Sequence, residues 1–440
     1  MTISAPPAAE ATTVGNYFVS NYPPYSFWTA DGVPAAVAAL DQPPRPGTDL
    51  GIYLHIPFCR KRCHFCYFRV YTDKKNDEIQ GYLDAALAEL AAFAKRPAIT
   101  GRQAAFVYFG GGTPSFLSVE QLEALTDGMK ALVPWDRAEE VTFECEPGTL
   151  TDRKIDAIRR IGVTRLSLGV ENFDDHILET NGRAHLSQQV YRAYERARGA
   201  GFPQINIDLI AGMMNETEDN WRQCIAKTIA LDPDSVTIYQ MEIPYNTTIY
   251  KQMKAEGKIT APVADWATKR RWVADAFAAL EGAGYTVASA YTAVKDPART
   301  TFVYRDRLWA GADLLGLGVA SFSHISGTHF QNLHDFAPYV QRVTAGDLPL
   351  ARAYTPDDDE RLIREFILQL KTGHIDTGYF TAKFGVDPQV RFAGELAELA
   401  RQGFAQVDGT RLTLTREALL QVDRLLHGFF LPRHAHARYA

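Results

Sequence analysis

From residue 50 onward the chain alternates between two hydrophobic periods. Short β-rich runs, each followed by Gly, Pro, Asn or Asp, fall at Gly51–His55, Ala105–Phe109, Val141–Cys145, Arg165–Val170, Gln204–Ile210 and Ser235–Gln240. Runs bounded in this way read as strands. Between them the apolar spacing lengthens to steps of three and four, as in Ile79, Leu83, Leu87, Leu90 and Phe93, which gives one face of a helix. Ser118-Val-Glu-Gln121 reads as a capping box that opens another helix before Leu122 and Leu125. The stretches 151–161, 187–200, 216–230 and 266–283 also suit helices. Strands alternating with helices call for a parallel sheet with helices outside it. Six or more such units form a partial or closed barrel, with functional residues at the C-terminal ends of the strands.

The two ends of the chain follow other patterns. Residues 1–14 are rich in Ala, Pro and Thr and read as a disordered leader. Residues 15–48 mix prolines with Tyr17, Phe18, Tyr22, Tyr25, Phe27 and Trp28 and read as an irregular segment covering the body of the protein. After residue 350, helical stretches at 356–371 and 390–402 lead to a hairpin signal, Asp408-Gly409 between alternating apolar positions. Helices followed by a short hairpin suggest a winged-helix-like cap. The expected division is 1–48 (leader and cover), 49–350 (barrel and extension) and 351–440 (cap).

Composition narrows the function classes. With 46% hydrophobic and 22% charged residues among 440, the chain is an ordinary globular one. A net charge of −6 argues against nucleic acid as a partner. No apolar run is long enough to span a membrane. The N-terminus lacks the pattern of a secretory signal. Five cysteines, three of them in one motif, leave no disulfide framework, and the expected compartment is the cytoplasm.

The motif is Cys59, Cys63 and Cys66 in C-x₃-C-x₂-C spacing, directly after the first strand. Three thiolates can hold a four-iron cubane and leave one iron open, whereas electron-transfer clusters usually take four cysteines. A zinc site completed by His55 or His64 is the alternative that spacing leaves open. After the second strand comes Phe109-Gly-Gly-Gly-Thr-Pro114, where glycines let the backbone approach a ligand. Glu144, Glu171, Arg183 and Asp208 follow at or after later strand ends, a grouping that favours a ligand site.

The segments YLHIPFCRKRCHFC, YFGGGTPSFLS, FECEPGTL, RLSLGVENF, INIDLIAGM and DLLGLGVASFS together resemble the radical S-adenosylmethionine (SAM) superfamily, and within it the branch of oxygen-independent coproporphyrinogen III oxidase (HemN-like). The resemblance covers roughly residues 50–430. It implies an α/β fold, a partial (β/α)6-type barrel with a small C-terminal helical, winged-helix-like domain. By the same resemblance Cys59, Cys63 and Cys66 hold a [4Fe-4S] cluster. Tyr53, Gly111, Glu144 and Phe322 align with contacts to a first SAM. Phe65, Gly112, Thr113, Glu171, Arg183, Asp208 and Glu242 align with contacts to a second. A reducing flavodoxin- or ferredoxin-type electron donor is the implied protein partner.

Several positions depart from that branch. Phe68 stands where the oxidase has a further cysteine, Glu171 where it has Gln, and Glu242 where it has Ala. Tyr304-Arg-Asp-Arg-Leu-Trp309 replaces the H-N-x-x-Y-W motif of heme-chaperone relatives. The second-SAM positions, with Asn21-Tyr-Pro-Pro-Tyr25 and Ser321–Asn332, look more like class C radical SAM methylases and cyclopropanases. The expected activity is therefore methylation of, or methylene addition to, an sp² carbon of a planar conjugated or tetrapyrrole-like substrate. Coproporphyrinogen decarboxylation and heme chaperoning are the alternatives. Glu242, Tyr304 and His324 are the expected catalytic residues, with Arg305 and His329 also candidates on the substrate side. His324 is the candidate base because imidazole titrates near neutrality. The tail histidines His427, His434 and His436 are expected at the surface.

Overall fold

The computed structural model describes residues 11–435 apart from positions 16 and 259; most of the leader and His436 lie outside that range. The strands β1 (Leu50–Ile56), β2 (Phe106–Gly111), β3 (Glu140–Cys145), β4 (Arg165–Glu171), β5 (Gln204–Ala211) and β6 (Ser235–Gln240) pair in sequence order, all parallel. The sheet runs on past both edges of this set. β7 (Thr286–Val287) and β8 (Thr292–Val294) extend it antiparallel beyond β6. On the other side β9 (Asp313–Leu317) pairs parallel with β1, followed by β10 (Phe322–Ile325), β11 (Thr328–Asn332) and β12 (Leu350–Tyr354). The strand order β12-β11-β10-β9-β1-β2-β3-β4-β5-β6-β8-β7 does not close on itself, so the barrel is partial.

Alternation along the strands explains how the sheet serves both a core and a site. Val141, Phe143, Leu166, Leu168, Ile205, Ile207, Val236 and Ile238 are almost wholly buried in the main core beneath the helices. The positions between them face the barrel interior and are polar. Ser167 and Asn206 are register partners, as are Asn206 and Ser235. Their side chains bond in a column: the Ser235 hydroxyl donates to Asn206 Oδ1 at 2.8 Å, and Asn206 Nδ2 to Ser167 Oγ at 3.0 Å and Asp208 Oδ1 at 2.9 Å. Buried polar groups must find partners, and here they find one another across strands. Near the base Gly51 is required, because a Cβ there would lie 1.9 Å from the Phe106 ring.

The helices carry the capping chemistry read above. Ser118 accepts from Gln121 N at 3.1 Å, and Gln121 Oε1 accepts from Ser118 N at 3.0 Å, at the start of Val119–Leu132. The covering segment is more regular than its composition suggests: Val33–Leu40 is a helix, burying Ala36 and Leu40 in the main core. In the C-terminal part, Asp358–Leu370 packs with β13 (His374–Asp376), β14 (Ala405–Asp408) and β15 (Arg411–Leu414) around a second core. The β14–β15 hairpin turns at Gly409, φ 58°. The helical stretch expected at 390–402 is broken at Phe392, which is buried in that core between Pro388–Arg391 and Ala393–Arg401. Val19 and Tyr22, from the opposite end of the chain, belong to the same core.

Candidate active site

The C-terminal ends of the parallel strands open onto a cavity of 1070 Å³. Ligand pockets commonly measure about 300–1,000 Å³, so this one has room for more than one small molecule. Cys59, Cys63 and Cys66 line it from the loop after β1, all as free thiols. Backbone bonds fix that loop, with Tyr71 N donating to Pro57 O at 2.7 Å and Cys59 N to Tyr71 O at 3.1 Å. The Thr113 hydroxyl donates to Cys59 Sγ at 3.3 Å, and Arg183 Nη1 to Cys63 Sγ at 3.2 Å. Burial pushes the Cys59 thiol up to about 11 and Cys66 up to about 12. Thiolates at these positions need a strong local positive charge, which iron supplies.

The donor set fits a cluster better than a lone zinc ion. His55 is engaged on both ring nitrogens, Nδ1 lying 3.1 Å from the Tyr53 hydroxyl and Nε2 3.4 Å from the Arg69 carbonyl. His64 Nδ1 lies 3.0 Å from the Thr180 carbonyl. Among the described residues no three His, Cys, Asp or Glu side chains converge on one ion position. Beside the thiols the backbone leaves space: a Cβ on Gly112 would lie 3.0 Å from Cys59 Sγ and 2.8 Å from the Ile56 carbonyl.

Six carboxylates line the same cavity: Glu144, Glu146, Glu171, Asp208, Glu242 and Asp423. Glu144, inward on β3, accepts from the Tyr108 hydroxyl at 2.6 Å and Gly111 N at 3.1 Å, and burial pushes it up to about 7. Asp208 accepts from Ser167 at 2.7 Å and is raised by burial. Glu171 sits where the β4–β5 register shifts, and at φ 66° it occupies the left-handed region that non-glycine residues rarely adopt. Its carboxylate lies 3.7 Å from Arg183, and burial pushes it up to about 7. Glu242 accepts from Tyr17 N at 3.1 Å and is pushed up to about 8, by burial first and then by the charge of Asp423.

Phe65, Gly111, Gly112 and Thr113 line the cavity with the thiols and carboxylates. Tyr53, Tyr304, Phe322 and His324 do not. Tyr53 and Tyr304 lie deeper in the barrel, their ring centroids 5.9 Å and 4.5 Å from that of Tyr108. Phe322 packs against Tyr25 at 4.3 Å. His324 and His329 are a buried cross-strand pair on β10 and β11, with Nδ1 atoms 3.1 Å apart. Burial and the facing His329 hold His324 well below the ordinary imidazole range, so it carries no positive charge there. The Arg305 guanidinium pairs with Asp306 at 2.7 Å, away from the cavity. His427 lines the cavity, and His434 is buried against Tyr22.

Other wall residues escaped the sequence reading. Tyr17, Tyr67, Phe68 and Tyr239 line the cavity and keep 38–44% of their surface exposed. Tyr239 was findable, being one alternation beyond Thr237 on β6. Asp423 was not, since nothing local marks it. It accepts from Lys371 Nζ at 2.7 Å, from Val19 N at 2.9 Å and from the Tyr291 hydroxyl, and it brings the C-terminal part onto the cavity.

Residues 53–227 match the radical SAM superfamily. The chain belongs to the radical SAM superfamily. Residues 357–420 of this radical SAM chain match the HemN C-terminal domain. It is 27% identical over 381 residues to a heme chaperone HemW of Bacillus subtilis, covering 86% of this chain and 98% of that one. It is also 27% identical over 399 residues to an oxygen-independent coproporphyrinogen III oxidase of Bradyrhizobium diazoefficiens, covering 87% of each. Its fold matches coproporphyrinogen III oxidase (HemN) of Escherichia coli with a TM-score of 0.79, at 23% identity over 95% of this chain and 99% of that one. Its radical SAM domain makes it a radical SAM enzyme, with a [4Fe-4S] cluster and SAM as cofactors, and it carries a HemN C-terminal domain. No helix among the described residues is long and apolar enough to cross a membrane.

Proposed function

We propose that this enzyme transfers a one-carbon unit to an sp² carbon of a planar conjugated substrate, with a second SAM as the donor. The observation that carries this reading is the grouping of Glu144, Glu171, Asp208 and Glu242 around Arg183 at and after the strand ends, while the other cations of the cavity, Arg60, Lys61, Arg62, Arg270 and Arg424, come from the loop after β1 and from the helices Trp266–Gly282 and Val422–Leu426. Carboxylates grouped in this way suit sulfonium cations, whose charge favours their ionised form. A volume of 1070 Å³ leaves room for a pair of them and a substrate. The exposed rings of Tyr17, Tyr67, Phe68 and Tyr239 offer flat walls to a flat molecule.

Cys59, Cys63 and Cys66 would hold the cluster, which would supply the electron for reductive cleavage of SAM. The remaining work falls to the protein: binding, orientation and exclusion of water. Tyr108 and Gly111 N hold the Glu144 carboxylate in one orientation. Arg183, whose Nη2 donates to the Gly169 carbonyl at 2.5 Å and Nη1 to Cys63 Sγ at 3.2 Å, brings a fixed positive charge to a carboxylate such as that of methionine. Glu242, half-protonated near pH 8, can hold or release a proton over the working range.

Oxidative decarboxylation of a tetrapyrrole propionate is the second reading. It draws on the names of the relatives and on Arg60, Lys61, Arg62 and Arg424, cations that line the cavity and suit a substrate rich in carboxylates. Anaerobic, reconstituted protein given SAM, a reductant such as reduced flavodoxin and a conjugated substrate separates the two. One-carbon transfer yields S-adenosylhomocysteine alongside 5′-deoxyadenosine. Release of carbon dioxide without S-adenosylhomocysteine would replace the first reading by the second.

A further inference from the structure

A second hollow opens at the opposite end of the barrel. It measures 170 Å³, about six water volumes at ~30 Å³ each. Arg165, Gln204 and Ser235, the first residues of β4, β5 and β6, line it together with Thr300, Phe302 and Arg305. None of these belongs to the cavity described above.

Arg165 is only 2% exposed, yet its Nε and Nη1 have no hydrogen-bond partner among the described residues. Its guanidinium lies 4.1 Å from the centroid of the Phe302 ring, which holds the plane of the fork in place. Arg305 lies 5.8 Å from the same ring and also has an orphaned, buried Nη1. Its other nitrogens serve Asp306, at 2.8 Å and 2.7 Å. Glu140, the carboxylate whose titration Arg165 influences, is occupied by Val303 N at 3.0 Å, Tyr304 N at 3.2 Å and the Thr142 hydroxyl at 3.0 Å. No ion pair within 4.0 Å joins it to Arg165 among the described residues. Asp208 and Glu144 also feel the charge of Arg165, without a close ion pair, but they leave its Nε and Nη1 unserved, and buried N–H groups without an acceptor are strongly disfavoured. A guanidinium fork matches a carboxylate or a phosphate two bonds at a time.

We infer that this basal hollow binds one small oxyanion, carboxylate or phosphate, between Arg165 and Arg305, with the Thr292 and Thr300 hydroxyls completing its surroundings. Such an anion supplies the acceptors that the orphaned N–H groups of Arg165 and Arg305 lack. The inference is independent of the reaction at the other end of the barrel.

The test uses the full, anaerobically reconstituted protein, titrated with inorganic phosphate or acetate against potassium chloride at matched ionic strength. Expected are a saturable binding heat and a melting temperature that rises with phosphate or acetate beyond its response to chloride. Saturation by phosphate alone assigns a tetrahedral anion, and by acetate alone a carboxylate. Arg305→Met should weaken binding at least tenfold, and Arg165→Met should abolish it. If Arg165→Met fails to fold, Thr300→Val provides the second variant, with a smaller expected loss of a few-fold. The inference is overturned if phosphate and acetate behave like chloride, or if saturable binding survives unchanged in Arg305→Met and Thr300→Val.

Discussion

The burial of carboxylates in the upper cavity carries an energetic penalty that can be measured at Glu171, where burial outweighs the charges of Arg183, Asp208 and Glu144. Its folded-state value lies at about 7 against an ordinary 4.5. A shift of that size, about 2.5 units at 1.36 kcal/mol each, corresponds to roughly 3 kcal/mol. The sign follows from a raised carboxyl. Below pH 4.5 the group is protonated in both folded and unfolded states and costs nothing. As pH rises towards 7 the unfolded chain ionises first, and stability falls until the folded group ionises too. Glu171→Gln cannot titrate, so between pH 5 and pH 8 the variant should escape a loss of about 3 kcal/mol that the wild type suffers. For a chain of 440 residues, with an unfolding entropy near 0.9 kcal/mol/K, that equals about 3 °C of differential melting shift. Glu144 and Glu242 titrate in both proteins and so largely cancel. The assay is denaturant or thermal unfolding of the iron-free chain at a series of pH values. Parallel pH profiles for the two proteins would refute the reasoning. A companion measurement reads the same linkage from the ligand side. A sulfonium beside Glu171 pulls its proton off, so at pH 6 SAM binding should release up to about 0.9 proton. Calorimetry in buffers of different ionisation enthalpy detects that release, and it should shrink in Glu171→Gln.

Three further outcomes are expected. Cys59→Ala should bring reconstituted iron well below four atoms per chain, by colorimetric assay, while far-UV circular dichroism stays unchanged. Gly112→Ala should displace the Cys59 thiol, since its Cβ would lie 3.0 Å from Sγ and 2.8 Å from a backbone oxygen; iron loading and SAM cleavage, read as 5′-deoxyadenosine, should fall at least tenfold. Asp423→Ala should strand the fully buried Lys371 ammonium and cost about 3–5 kcal/mol, read as a lower denaturant midpoint.

The strands were legible because their alternation serves two masters at once. Ile205, Ile207 and Leu209 bury one face of β5, while Asn206 and Asp208 turn the other inward, and both signals sit within eight residues. Residues at strand ends after β1 to β6 consequently reached the cavity where their position in the chain placed them, as Glu144 and Asp208 did. Tyr304 and His324 lie outside that logic. Tyr304 follows a turn that tucks it beneath Tyr108, and His324 sits on a hairpin whose pairing with β9 no local period announces. The strand β9 itself is a short Asp-Leu-Leu-Gly-Leu run whose parallel partner, β1, lies more than 250 residues earlier in the chain. Asp423 reaches the cavity only because the C-terminal part folds back across it, a long-range contact with no signature in sequence spacing.

The threading of Val19 and Tyr22 into the C-terminal core has a consequence for biosynthesis. Val19 N and Asp423 are bonded partners 404 positions apart. At roughly 5–20 residues per second, about 20–80 s separate their appearance from the ribosome. During that interval Val19 and Tyr22 lack the core that buries them, while the flanking stretches can already dock on the barrel through Gly15 N to Ile243 O and the helix Val33–Leu40. The helix Val422–Leu426 therefore acts as the clasp that fastens the stretch around Val19, and a nascent protein interrupted before that point would leave Val19 and Tyr22 as ready prey for proteases.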